Sequence, residues 1–292
     1  MSGTAPDLIA SYWTIAGDVV PLGPPEREAS PIDFRARVEA AHRAGYRGLG
    51  LMYSDLMNVR RQYDFASMRA ILADNDMQHL EFEFLTGWLE DGAAGQAAET
   101  VLTDLCTAAA ALGARHLKVG PDMQARAWPL EHMITRFSSL CRRARDAGTA
   151  IALEIMPWSN LRTVDEGLAV VAGADVSNGG LLLDIWHLAR GSVPYSDIAK
   201  VPAHRLRHVE IDDADATVVG TLIEDTLDRR RLCGAGALDV AAFIQAVQAA
   251  GYDGPYGVEI LSIEHRRLGL DQAARSSFDT AIRQFDHARK AD

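Results

Sequence analysis

Four times in this chain an alanine-rich amphipathic stretch stops at a glycine and gives way within a few residues to an apolar run: VEAAHRAGY, TAAAALGARH, RARDAGTA and AVQAAGYDGP. Glycine at that point supplies the left-handed residue that ends a helix before a strand. Strand-like runs fall near 7–13, 46–52, 79–85, 115–120, 149–155, 180–186, 206–211 and 256–261, with helical patterns between them. Such alternation is the signature of βα units on a parallel sheet. No linker rich in proline and serine divides the 292 residues. Eight similar units therefore predict an α/β fold, a (β/α)8 TIM barrel forming a single domain over 1–292, since such barrels typically take about 250 residues. The longest irregular pieces, 14–33 and 212–236, follow strands one and seven. In a barrel both would lie on the catalytic face.

Composition limits what such a barrel can do. An apolar fraction of 48% with 24% charged residues supplies ample core. The formal charge of −11 repels polyanions, which argues against generic nucleic-acid binding. Cys106, Cys141 and Cys233 are isolated and odd in number, with no C-x-x-C pair, so no disulfide framework is expected and a reducing cytoplasm fits. The opening MSGTAPDLIASYW lacks the basic start of a signal peptide, and no run of 18 apolar residues occurs. Neither secretion nor membrane insertion is expected.

Each of the last four runs carries an acid: Glu154 in IALEIMP, Asp184 in LLLDIWH, Glu210 in RHVEIDD and Glu259 in YGVEIL. A carboxylate there is costly unless a cation or hydrogen bonds neutralise it. The successive gaps are 30, 26 and 49 residues, two single units and one unit with a long loop. Ligands at the ends of adjacent strands converge on one point, and an oxygen-only set suits Mn²⁺ or Mg²⁺. Without a cation the four would repel and raise one another's pKa values. The competing expectation is that some, Glu210 above all, are salt-bridged to arginines within the barrel.

On these residues the chain resembles the xylose-isomerase-like, AP-endonuclease-like TIM barrels, a family of sugar isomerases, ketose 3-epimerases, inosose dehydratases and dehydroshikimate dehydratases. The resemblance spans nearly the whole chain and is strongest in ALEIMP, GLLLDIWHLAR, RHVEIDDA, RRRLCGAGALD and GYDGPYGVEI. It implies one divalent metal held by acids and a His or Gln from strands five to eight, with Glu154, Asp184 and Glu259 at matching positions. Strand seven departs from the pattern, because His208-Val209-Glu210 puts a glutamate at the third ligand. His208 shares its face and would admit Zn²⁺ or Co²⁺ if it were the ligand.

The same resemblance implies that His187, in D-x-x-H, contacts substrate near the metal, a place where an imidazole can donate a hydrogen bond or relay a proton. It also implies that Arg230, within Arg229-Arg230-Arg231, reaches a substrate hydroxyl or carboxylate. The following G-x-G is read as helix entry rather than a phosphate loop. Lys118 is one of three lysines against 26 arginines and sits inside an apolar strand. It is expected either in the pocket or in an ion pair with Glu83, whereas Schiff-base chemistry would be redundant beside the acids. Trp13, Trp88, Trp158 and Trp186 fall at or just after strand ends, where indoles stack on sugar C–H faces or serve as packing.

The resulting expectation is a metal-dependent isomerase or epimerase of a sugar or keto-sugar, working through an enediolate with Glu154 and Glu259 as proton carriers. The alternative is a metal-dependent lyase or dehydratase acting on a cyclic keto-polyol or 3-keto-glycoside. A small-molecule carbohydrate or keto-polyol is the expected partner; oligomers are common in such relatives, though no interface is legible. A nuclease would need further histidines and a basic surface, and DDADAT after strand seven lacks the D-x-H pair. A degenerate barrel serving as a binding subunit is the non-enzymatic alternative.

Overall fold

A computed structural model describes residues 6–290. Eight parallel strands, β1 (Leu8–Ala10), β2 (Gly48–Met52), β3 (His79–Leu85), β4 (His116–Val119), β5 (Ala150–Glu154), β6 (Gly179–Asp184), β7 (Leu206–Ile211) and β8 (Tyr256–Val258), close into a barrel. Sequential pairing is completed by β8 against β1, with Ile9 opposite Gly257. The expected α/β barrel is the observed fold.

The long outer helices form because they offer an apolar stripe to the sheet. Leu130–Asp146 buries Met133, Phe137, Leu140, Cys141 and Ala144, spaced to lie on one face against the sheet. The four glycines that end the repeated helical stretches all adopt positive φ: 112° at Gly45, 75° at Gly113, 74° at Gly148 and 87° at Gly251. At Gly45 a side chain is also excluded by packing, because a Cβ would lie 2.6 Å from the Phe278 ring. Among the described residues no helix is long and apolar enough to cross a membrane.

Three expected strand ends are shortened. β1 stops at Ala10, not 13, since Tyr12–Ile15 turns into a helix that carries Trp13 above the barrel. β6 stops at Asp184, not 186, because the Asp184 carboxylate caps the helix Ile185–Arg190 by accepting from the Trp186 N–H at 2.7 Å. β8 stops at Val258, yet the Glu259 N–H still bonds to the Ile211 carbonyl at 3.2 Å, so Glu259 keeps its place at the rim. The two pieces expected to be irregular contain the helices Pro25–Glu28 and Leu222–Asp228. The second begins with a capping box between Thr221 and Glu224 that the sequence T-L-I-E already carries.

Candidate active site at the barrel mouth

Strand alternation fills the barrel interior with polar side chains. Its lowest layer holds Glu81, His116 and His208; above it come Glu83, Lys118, Asp184 and Glu210; at the rim stand Glu154, Asp212 and Glu259, all buried. Register sets these layers, with Glu81 opposite His116, Asp184 opposite Glu210 and Glu210 opposite Gly257. Gly257 makes room for the polar groups, since a Cβ there would lie 2.7 Å from His208 Nε2 and 2.9 Å from Ser11 Oγ.

The four strand-end acids fall into two overlapping clusters rather than one. Asp184, Glu210 and Glu259 bring carboxylate oxygens within 4.8 Å of one another, and Glu154, Asp184 and His187 form an overlapping group at the same spacing. Asp184 belongs to both. Of the four, Glu154 and Glu259 reach the mouth cavity, where Glu83, His187 and Arg230 complete a polar floor. Its walls are apolar, including Trp13, Met52, Met156 and Trp158. His187 Nε2 lies 3.1 Å from Glu154 Oε1 and 3.8 Å from Asp184 Oδ2, beside the Trp158 and Trp186 rings.

Two cations are built into this interior. Lys118 Nζ, 1% exposed, contacts Glu210, lies 2.9 Å from Glu81 Oε1, and sits 3.5 and 3.6 Å from Glu83 and Glu259. Of the two expectations for Lys118, the ion pair with Glu83 is the one the geometry shows; Lys118 lies below the mouth cavity without lining it, so a substrate contact by Lys118 is at odds with its position, whereas Glu83 does line the mouth. Arg230 is the one buried member of its arginine run, bonded to Asp184 at 2.5 Å and to Asp212, with Glu259 at 3.1 Å. The expected capture of acids by basic residues is therefore real, but the basic residue at Glu210 is lysine rather than arginine.

Burial pushes the Glu154 carboxyl up against the opposing pull of His187. It pushes Glu259 well above the usual carboxylate range, reinforced by the charge of Glu210. Burial acts on Glu210 too, yet the Lys118 charge holds it down at about 2. Glu83, buried among like charges, is raised to about 7 despite Lys118.

A divalent cation fits this donor set. Among the described residues, seven buried carboxylates (Glu81, Glu83, Glu154, Asp184, Glu210, Asp212 and Glu259) face only Lys118 and Arg230 as fixed cations. Glu210 Oε2 and Asp212 Oδ1 make no hydrogen bond to protein among the described residues. So large a buried excess of negative charge calls for a further cation or for protons.

Other expected site residues lie elsewhere. His208 faces the interior, as the alternation requires, but sits in the lowest layer against Glu81 at 3.1 Å, without reaching the mouth cavity. A substrate contact by His208 is thus at odds with its position. Trp88 donates to the Gly120 carbonyl and lines a neighbouring cleft, while Trp186 is fully buried and donates to Asp225. The G-x-G backbone binds an internal anion: the N–H groups of Gly234 and Gly236 both donate to Asp213 at 2.9 Å. Glu81, His116, Asp212 and Asp213 were not singled out from the sequence. Period-two spacing in E-x-E, H-x-K and H-x-E-x-D is the available signal for the first three, whereas Asp213 breaks that alternation.

The model of a family described as the xylose isomerase-like TIM barrel matches residues 38–280. The chain belongs to that family. An inosose isomerase from Halalkalibacterium halodurans is 25% identical over 153 residues, 52% of each chain. A 3-dehydroshikimate dehydratase from Pseudomonas aeruginosa is 31% identical over 124 residues, 42% of this chain and 19% of that protein. The chain thus spans about half the length of the isomerase and far less of the dehydratase. A crystal structure of IolI protein with a binding zinc atom superposes with a TM-score of 0.84 at 18% identity, covering 97% of this chain and 99% of that one.

Proposed function

We propose that this chain is a divalent-metal-dependent isomerase or epimerase of a sugar or keto-sugar, working by proton transfer beside a carbonyl. The carrying observation is the split among the strand-end acids. Glu154 and Glu259 face the mouth and have raised pKa values, whereas Asp184 and Glu210 lie beneath them, held by Arg230 and Lys118.

Glu154, Asp184, Glu210 and Glu259 would hold the ion, with Mn²⁺ or Mg²⁺ favoured by an all-oxygen set. When bound, such an ion polarises a substrate carbonyl and offsets developing negative charge. The zinc atom of the IolI structure is consistent with a divalent ion at a barrel of this shape. Glu154 and Glu259 approach from β5 and from just past β8, so one can remove a proton from carbon and the other return it. Return to the opposite face of an enediolate epimerises, and return to the neighbouring carbon isomerises. His187, beside Glu154, is placed to donate to a substrate oxygen. Arg230 lines the same floor and can meet a hydroxyl or carboxylate on its mouth side. Trp13 and Trp158 offer apolar faces to a ring or carbon chain.

A second reading, loss of water from a cyclic keto-polyol, begins with the same proton abstraction. It is favoured by the greater identity to the dehydratase and by His187, which could protonate a leaving hydroxyl. Incubating the Mn²⁺-loaded protein with ketoses and keto-polyols, followed by mass spectrometry and NMR, tests the proposal. A product isomeric with its substrate in ordinary water, and heavier by a single deuterium at one carbon when the reaction runs in deuterated water, supports it. Loss of water supports the second reading, and no turnover across the panel contradicts both.

A further inference from the structure

We infer that the barrel holds a second, deeper metal site, formed by Glu81, His116 and His208 and suited to a borderline transition ion of the Zn²⁺ class. These residues come from β3, β4 and β7, and none is more than 1% exposed. Glu81 Oε2 lies 3.3 Å from His116 Nε2 and 3.1 Å from His208 Nε2, and one ligand atom from each residue lies within 4.8 Å of the others. Ligands at about 2.0–2.2 Å around a tetrahedral ion stand at comparable separations from one another. The two imidazole rings are 4.4 Å apart and tilted by 39°.

Hydrogen bonding within the protein does not account for this approach. Glu81 Oε2 and all four ring nitrogens of His116 and His208 lack a hydrogen-bond partner, five of the sixteen such buried side-chain atoms among the described residues. Buried polar atoms are rarely left so, and here one from each of the three residues converges on the same space. The other oxygen of Glu81 is occupied, accepting from Ser11 Oγ at 3.1 Å and facing Lys118 at 2.9 Å. That anchoring fixes Glu81 with Oε2 toward the imidazoles. Gly257 keeps the space beside His208 Nε2 open.

The donor chemistry differs from that of the mouth. Two imidazoles with one carboxylate favour Zn²⁺, Fe²⁺ or Co²⁺ over Mg²⁺. None of the three residues lines the mouth cavity, so the ion would tie β3, β4 and β7 together without meeting substrate.

Protein produced in cobalt-supplemented medium, washed with chelator and crystallised, provides the test through anomalous difference maps at the cobalt edge. A peak bonded to Glu81, His116 and His208 is expected, and it should persist when Glu154→Gln and Glu259→Gln are combined. In solution, the visible absorption of the retained Co²⁺ should disappear in His208→Gln. If that variant does not fold, the map of the unaltered protein decides alone. Density for water or direct histidine–glutamate hydrogen bonds in place of a metal peak would overturn the inference, as would cobalt confined to the mouth.

Discussion

At the mouth, Glu154 and Glu259 stand at the edge of a cavity with pKa values raised by burial. Lower in the same barrel, Glu81 and Glu210 are no less buried, yet both are lowered, because Lys118 lies against them. The same residue type is thus set to opposite protonation tendencies by where one lysine reaches. Lys118 remains 3.6 Å from Glu259, and its main partners are Glu81 and Glu210. At the mouth, burial outweighs the partners Arg230 and His187 and favours the protonated acids Glu259 and Glu154, whereas the lower acids are held as carboxylates by Lys118.

The sharpest way to break this contrast is to remove one carboxylate from the mouth. Glu259→Gln is expected to reduce turnover of whichever keto-substrate proves active by about 10²–10⁴-fold. Its folding free energy should stay near wild type or rise, since a disfavoured charge is removed; urea melts beside steady-state kinetics check both. Removing the lower cation should do the reverse. Lys118→Met leaves buried carboxylates without their counter-charge, and a loss of about 3–5 kcal/mol in urea-determined stability is expected.

A pH series sharpens the comparison through Glu83, which belongs to both regions. Burial raises its folded pKa to about 7, above the ordinary 4.5, so the folded protein binds a proton there more tightly than the unfolded chain. That contribution is fully present below pH 4.5 and is lost as pH rises toward 7. Glu83→Gln should remove this decline, gaining on wild type by an amount on the order of 3 kcal/mol between acidic and alkaline buffer. Thermal melts across pH would show two parallel curves if Glu83 were not responsible. The smallest effect is expected at His187, where an asparagine frees Glu154 from its partner. Activity should fall by about 10–100-fold with little change in stability.

Much of this was legible in the sequence for a physical reason. A barrel needs repeated helix ends, and Gly45, Gly113, Gly148 and Gly251 announce them. Glu154, Asp184, Glu210 and Glu259 stand out as charges in apolar runs, a pattern that burial makes costly. What the sequence does not display is which cation meets which acid. Lys118 and Glu210 are 92 residues apart, and only barrel closure brings their side chains together. Strand ends were misplaced where a polar group caps a helix immediately afterwards, as at Asp184, because the apolar run continues through Ile185 and Trp186. The lower histidines were missed or set too high because strand alternation gives the face of a side chain and not its depth. His208 and Glu210 share a face, yet only Glu210 contributes to the cluster of strand-end acids.

Titration of chelator-treated protein with Mn²⁺, followed by the electron paramagnetic resonance of the free ion, tests the central claim most directly. Binding of Mn²⁺ at the mouth is expected in the unaltered protein and in His116→Gln, with strong weakening in Glu154→Gln and Glu259→Gln. Equal binding in the two mouth variants and the unaltered protein would contradict a mouth-centred metal site and the proton-transfer chemistry built on it.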